Sequence, residues 1–215
     1  MHFLPPVRAH FFFLDLFVSE LRILLKGMPW WWYAGLLGGI VAGFAVPGDA
    51  FPRVLWFAWI WPIRVWSQMG NRETRYQTGE IVFSAPAPVL RQLPATWLAG
   101  FAVAIMAASG VLLRMAAIGN WTGVQQSLAG ATFIAALALA LGAASGSSKL
   151  FEVSYTGLWY LGALNATPAL DYTQLSAPGN YTAGWLAASA GAILVALAAR
   201  LARLRFQPAF RSSIL

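Results

Sequence analysis

Uncharged runs of about twenty residues alternate with short polar breaks along most of this chain. Gly27 to Gly48 holds no charge for 22 residues, and Gln92 to Leu113 holds none for another 22. At about 1.5 Å per residue, such a run is long enough as a helix to cross the roughly 30 Å of a bilayer's hydrocarbon. The pattern predicts six spans, over about 29–47, 51–69, 95–114, 126–144, 150–167 and 181–199. The expected fold is therefore an all-α integral membrane protein, one domain over 1–215.

Each span carries its own signals. Trp30, Trp31, Trp32 and Tyr33 open the first, where amphipathic rings prefer the headgroup level. Gly35, Gly39 and Gly43 recur every four residues, a stripe that lets another helix approach, within the subunit or in an oligomer. Pro62 predicts a kink in the second span, and Arg64 there either snorkels or lines a polar pathway. Pro94 suits a first helical turn of the third, and Arg114 falls near its far interface. Gly119–Gly123 reads as a loop, and Ser145–Lys149 as a turn. The fourth span is dense in alanine. Residues 168–180 are more polar and are expected to form the longest stretch outside the membrane on that side.

Before the first span the period changes. Asp15, Ser19, Arg22 and Lys26 are spaced by four, three and four, so they share a helical face. Leu14, Phe17, Leu21, Leu24 and Leu25 lie opposite. Residues 11–27 are expected to form an interfacial amphipathic helix, since Glu20 brings the charges to four. The plainer alternative is a helix packed on a neighbour.

The longest polar interruption falls between the second and third spans, over about 70–93. Arg72 to Arg91 holds five charges in twenty residues, in a chain that is only 10% charged. It also carries short apolar clusters and two prolines, which a bare linker would lack. It is expected to be a folded intracellular element through which a partner acts.

Composition sharpens this picture. The chain is 59% hydrophobic, with a mean hydropathy of +0.64, more than a soluble domain of 215 residues can bury. The net charge of +7 reads as membrane orientation rather than nucleic-acid binding. With the N-terminus inside, twelve arginines and lysines fall at the inner side, and Arg53 and Arg114 at the outer. Both termini are then cytoplasmic. No cleavable signal peptide is expected, because the apolar patch at Phe11–Leu14 is short and Asp15 follows at once.

Little in the chain supports chemistry of its own. There is no cysteine, and the two histidines, His2 and His10, precede the first span. The GAASGSSKL stretch around Lys149 has the wrong spacing for a phosphate-binding loop. Asp49 and Asp171 both fall in predicted loops, a poor basis for a membrane protease. No enzyme activity, metal site or cofactor is expected in this chain.

The polar island carries Thr78, Glu80, the triplet Ile81-Val82-Phe83, then Ser84-Ala85-Pro86, with Arg91 following. With the order of spans, this resembles the membrane domain of an ATP-binding-cassette type-2 permease. Such permeases commonly show a threonine, a glutamate two residues on, an apolar triplet, and Ser-x-Pro before a basic residue. Gln77 departs from the usual glycine, and Ala87-Pro88 extends beyond the motif. Lys149–Thr173 is similar to the fifth-span region of large bacterial members. Some of these bear a label for multicopper-enzyme maturation. The label implies no copper site in a chain without cysteine or membrane histidine.

The resemblance implies an elbow helix before the first span and a cytoplasmic coupling helix between the second and third. That coupling helix would dock on a cytosolic ATP-binding subunit, which would hold the ATP and magnesium. Thr78, Glu80, Ser84, Pro86 and Arg91 would lie at or near that contact, and Arg72, Glu73 and Arg75 would hold the connection against the surface helix or the ATPase. A solvated charged face is the plain alternative for each charge. Glu152, Tyr155, Trp159, Tyr160 and Asn165 are candidates for a transport path. Pairing with Lys149 is the plain role for Glu152, and aromatic packing between helices for the rings. The partners would be the ATPase, a second permease domain, identical or not, and the lipid bilayer. The location implied is a bacterial inner membrane. A small channel or membrane scaffold that needs no ATPase is the rival reading.

Overall fold

A computed structural model describes residues 6–48, 50–72, 88–173 and 180–206, and every element in them is a helix. They are α1 (Pro6–Lys26), α2 (Trp30–Ala45), α3 (Phe51–Ile60), α4 (Ile63–Trp66), α5 (Pro88–Ala117), α6 (Trp121–Ser145), α7 (Ser148–Leu158) and α8 (Thr182–Phe206). A π-helical turn, Trp159–Leu164, continues α7. Among the described residues, three stretches are long and apolar enough to cross a membrane: Gln92–Ala117, Trp121–Ser145 and Thr182–Arg203.

The other predicted spans are represented by shorter or broken helices. α2 has 16 residues, which at 1.5 Å each is about 24 Å. The second predicted span is split at Trp61-Pro62 into α3 and α4. Pro62 has no N–H for the Ala58 carbonyl, and its ring crowds that oxygen. The fifth leaves α-helical geometry at Trp159. Pro94 corrects another expectation. It lies inside α5, because Pro88 already occupies the first turn.

Cross-helix contacts give the bundle an alternating course. Ile40 lies against Gly110, and Arg114 donates to the Val46 carbonyl, so α2 and α5 run the same way. The Trp59 indole N–H donates to Ala104 of α5 at 3.2 Å and that of Trp66 to Gly100 at 3.0 Å. α3 and α4 therefore run opposite to α5. Tyr155 meets Trp59 and Trp159 meets Trp56, so α7 opposes α3. Trp185 packs on Phe133, and Arg203 donates to Ala143, so α8 follows α6.

α6 is the central helix. Of its most apolar stretch 72% is buried, against 22% for α8. Alanine and glycine at its surface let neighbours close in on it, and Ala131, Ala135, Ala136 and Ala138 are fully buried. Two helix starts are capped by side chains near them in sequence. Asn120 accepts from the Gly123 N–H at 3.0 Å, and Ser147 from the Lys149 N–H at 3.2 Å. Gly146 takes the left-handed conformation that stops α6. The predicted loop at Gly119–Gly123 is thus shorter than expected, since α6 begins at Trp121. Arg114 and Arg203 reach the carbonyl ends of α2 and α6, where a cation complements the helix dipole.

The glycine stripe of α2 is used within the chain. A Cβ on Gly43 would stand 2.7 Å from the Val111 nitrogen, and one on Gly110 would collide with the Ile40 carbonyl. Gly35 lies beneath the Trp61 ring, whereas nothing approaches Gly39. α1 packs along α5, where Phe13, Leu14 and Phe17 face Leu98, Phe101 and Ile105 across a groove of about 540 Å³. One face of α1 therefore has a protein neighbour, as in the plainer reading. Asp15, Arg22 and Lys26 remain exposed on the predicted polar face.

Candidate functional site

Charge collects at the two ends of the bundle unequally. Arg53 follows the α2–α3 turn, and Arg114 caps α2 at that same end. Arg72 and Arg203 lie at the other end, where the Met69-Gly70 backbone rests on Gly142 and Arg203 reaches Ala143. Lys149 follows directly on the α6–α7 turn there.

Arg72 is the last described residue before the polar connection. Its Nη1 donates to Glu20 Oε2 of α1 at 2.9 Å, with side-chain exposures of 17% and 8%. That exposure takes the pair out of the class of solvated surface bridges, which contribute little. Asn71 beside it is buried and donates from Nδ2 to the Ser67 carbonyl at 3.2 Å. Glu73, Arg75, Thr78, Glu80, Ser84 and Pro86 lie outside the described residues. Arg91 falls within α5, and its side chain is likewise outside them.

Glu20 was not among the sequence candidates. The signal was there: it points well away from the Asp15, Arg22 and Lys26 stripe, towards the side of Phe17 and Leu24. A carboxylate off the polar face of an amphipathic helix needs a partner.

The candidates on the fifth segment differ in burial. Glu152 binds Lys149 at 2.8 Å in the first turns of α7, with Lys149 well exposed. This is the plain pairing expected for it. Tyr160 is 54% exposed. Asn165 is also exposed and donates to the Tyr160 carbonyl at 2.6 Å. Tyr155 is fully buried, and its hydroxyl donates to the Trp59 carbonyl at 2.9 Å. Trp159 donates to Trp56 at 3.1 Å.

Part of the stretch expected outside the membrane, 168–180, packs on the bundle. After the π-helical turn, residues 165–170 are exposed, and the chain then folds back against the bundle at 171–173. Asp171, Tyr172 and Thr173 are buried. Tyr172 stacks on Trp59 at 5.9 Å between centroids and meets Trp185 edge-on at 6.3 Å. Its hydroxyl donates to that of Tyr155 at 3.1 Å. The polarity that suggested an outer loop is absorbed locally, since the Asp171 carboxylate accepts from both the backbone N–H and the hydroxyl of Thr173. Two glycines give the backbone room. A Cβ on Gly162 would collide with the Leu170 carbonyl, and one on Gly130 with that of Tyr172.

Among the described residues no three acidic or histidine side chains gather as a metal site. The arrangement offers a braced aromatic core, a charged end and an outward face on α7. Comparison with protein-family models, with curated proteins and with solved structures gave no match.

Proposed function

We propose that the chain is the membrane subunit of an ATP-driven type-2 permease, worked by a separate ATP-binding subunit through residues 72–91. In this reading α1 is the elbow helix, and the six apolar segments cross the bilayer in the alternating order of their contacts. The polar connection then lies on the cytoplasmic side. The observation that carries the reading is the anchoring of that connection. Its first residue, Arg72, is paired with Glu20 of α1 at the end of the bundle that also holds Lys149 and Arg203. A push on the connection is thereby passed to α1 and to the helices packed on it.

The outward face of α7, with Glu152, Thr156 and Tyr160 at intervals of four, suits a path shared with a second permease domain. ATP-driven closure of the partner subunits would tilt the two domains and switch the open side. The substrate class is left to the transport assay.

The test is co-purification with the ATP-binding subunit. Glu80→Ala with Arg91→Ala is expected to weaken that association about tenfold or more, as loss of charged contacts at a small interface does. Retained binding and retained transport would overturn the coupling role. A wild-type chain that binds no ATPase yet conducts ions or solutes would instead favour the channel reading.

A further inference from the structure

The groove between α1 and α5 is open, holds about 540 Å³ and is lined by apolar residues alone. That volume falls within the roughly 300–1,000 Å³ of clefts that take small ligands. Neighbouring helices fix its depth in a bilayer. Ile40 lies against Gly110, and α2 and α5 run the same way. Trp30, ten residues before Ile40, therefore stands near the level of Gly100. Trp30 is 80% exposed, and Trp31 and Tyr33 are exposed beside it, as rings at the headgroup level are. Phe101, Ile105 and Met106 of the groove lie beyond that level, on the hydrocarbon side.

Cations stand at the level of the rings. The Tyr33 hydroxyl donates to the Leu25 carbonyl at 2.7 Å, which brings the end of α1 to the start of α2. Arg22 and Lys26 are exposed there, and among the described residues neither has an ion-pair partner. Leu14, Val18 and Arg22 follow at intervals of four, so an exposed apolar line leads from the groove to the cations. The acids of α1 leave this end positive. Glu20 is held by Arg72 at 2.9 Å, and Asp15 lies beside the apolar part, about 10 Å along the axis from Arg22.

A ligand that fits this surface has an apolar tail at hydrocarbon depth and a negative head at the level of Trp30. We propose that the groove binds one anionic phospholipid, with an acyl chain along Phe17 and Phe101 and the phosphate at Arg22 and Lys26. The lipid then fills the gap between α1 and α5. This site needs only a bilayer, and it stands with or without an ATP-binding subunit.

The full chain in mild detergent is given phosphatidylglycerol or phosphatidylcholine with the same acyl chains, and native mass spectrometry counts the lipid retained. One tightly held phosphatidylglycerol per chain is expected, with phosphatidylcholine held more weakly. Arg22→Gln and Lys26→Gln should each weaken phosphatidylglycerol about fivefold, the share of one basic residue near an anionic surface, and leave phosphatidylcholine nearly unchanged. Ala102→Phe fills the groove and should weaken both lipids. Arg53→Gln removes an exposed charge at the opposite end and should change neither. Inorganic phosphate, a head without a tail, should not compete. A phosphatidylglycerol with a diazirine in its acyl chain locates the tail in the unmodified chain, with crosslinks expected on 13–17 and 98–106. The proposal is overturned by crosslinks confined to other helices, by equal retention of the two lipids or by displacement with inorganic phosphate. It is also overturned by an Arg53→Gln effect as large as that of Lys26→Gln, or by a dimer of the chain that excludes the lipid. If Ala102→Phe does not fold, the crosslinks decide.

Discussion

Tyr172→Ala is expected to destabilise the folded chain by about 3–5 kcal/mol, the range for removing a large buried aromatic side chain. Tyr172 has no exposed surface and touches Trp59, Tyr155 and Trp185, which belong to three different helices. Removing the ring leaves a void that these neighbours can close only by moving whole helices. Tyr172→Phe keeps the ring and loses one hydroxyl bond to Tyr155, so its expected cost is about 1 kcal/mol. Unfolding in mixed micelles titrated with dodecyl sulfate measures both. Equal effects for the two variants would show that the return segment is held by the hydroxyl and not by packing.

Gly110→Val is expected to part α2 from α5. Even a Cβ at that position meets the Ile40 carbonyl, which is backbone and has no rotamer to change. Overpacking of this kind costs about 1–3 kcal/mol, and more where the obstacle is rigid. The same change at Gly39, where nothing lies within 4 Å, is the control and should be nearly silent in the isolated subunit. If Gly39→Val lowers stability only when two copies or a second domain are present, the open part of the stripe is an oligomer contact. A Gly110→Val chain as stable as wild type would mean that α2 and α5 separate freely.

How much of this was legible in the sequence depends on whether the signal was local. The polar face of α1 follows from a spacing of three and four, and Asp15, Arg22 and Lys26 are exposed together. The break at Pro62 follows from a missing N–H, and it is where α3 ends. Pro94 falls inside α5 because the helix begins nearly two turns earlier, at Pro88, ahead of the uncharged run that marks the span.

Non-local facts were out of reach. The spacing of Gly35, Gly39 and Gly43 announced a close approach, but not that Trp61 and Gly110 supply it while Gly39 stays open. Asp171 and Thr173 read as outer-loop residues because polarity normally means water. Here the two bond each other, which lets them be buried within a loop. Five residues on one helical segment were grouped by chemistry. The helical period alone puts Glu152, Tyr155 and Trp159 near one another; packing separates them, burying Tyr155 and leaving Tyr160 exposed. Most of the coupling candidates, from Glu73 to Pro86, lie outside the described residues, so for them the family resemblance remains the argument.

Trp59 and Trp66 make α5 spectroscopically uneven. The carbonyls of residues 100 and 104 already accept within their own helix, and each takes an indole N–H as a second donor. A carbonyl that accepts two donors vibrates at lower frequency than one that accepts a single donor. Isotope-edited infrared bands from Gly100 and Ala104 should therefore lie below those of residues 103 and 105, and should rise together if α3 and α4 are ever drawn away from α5.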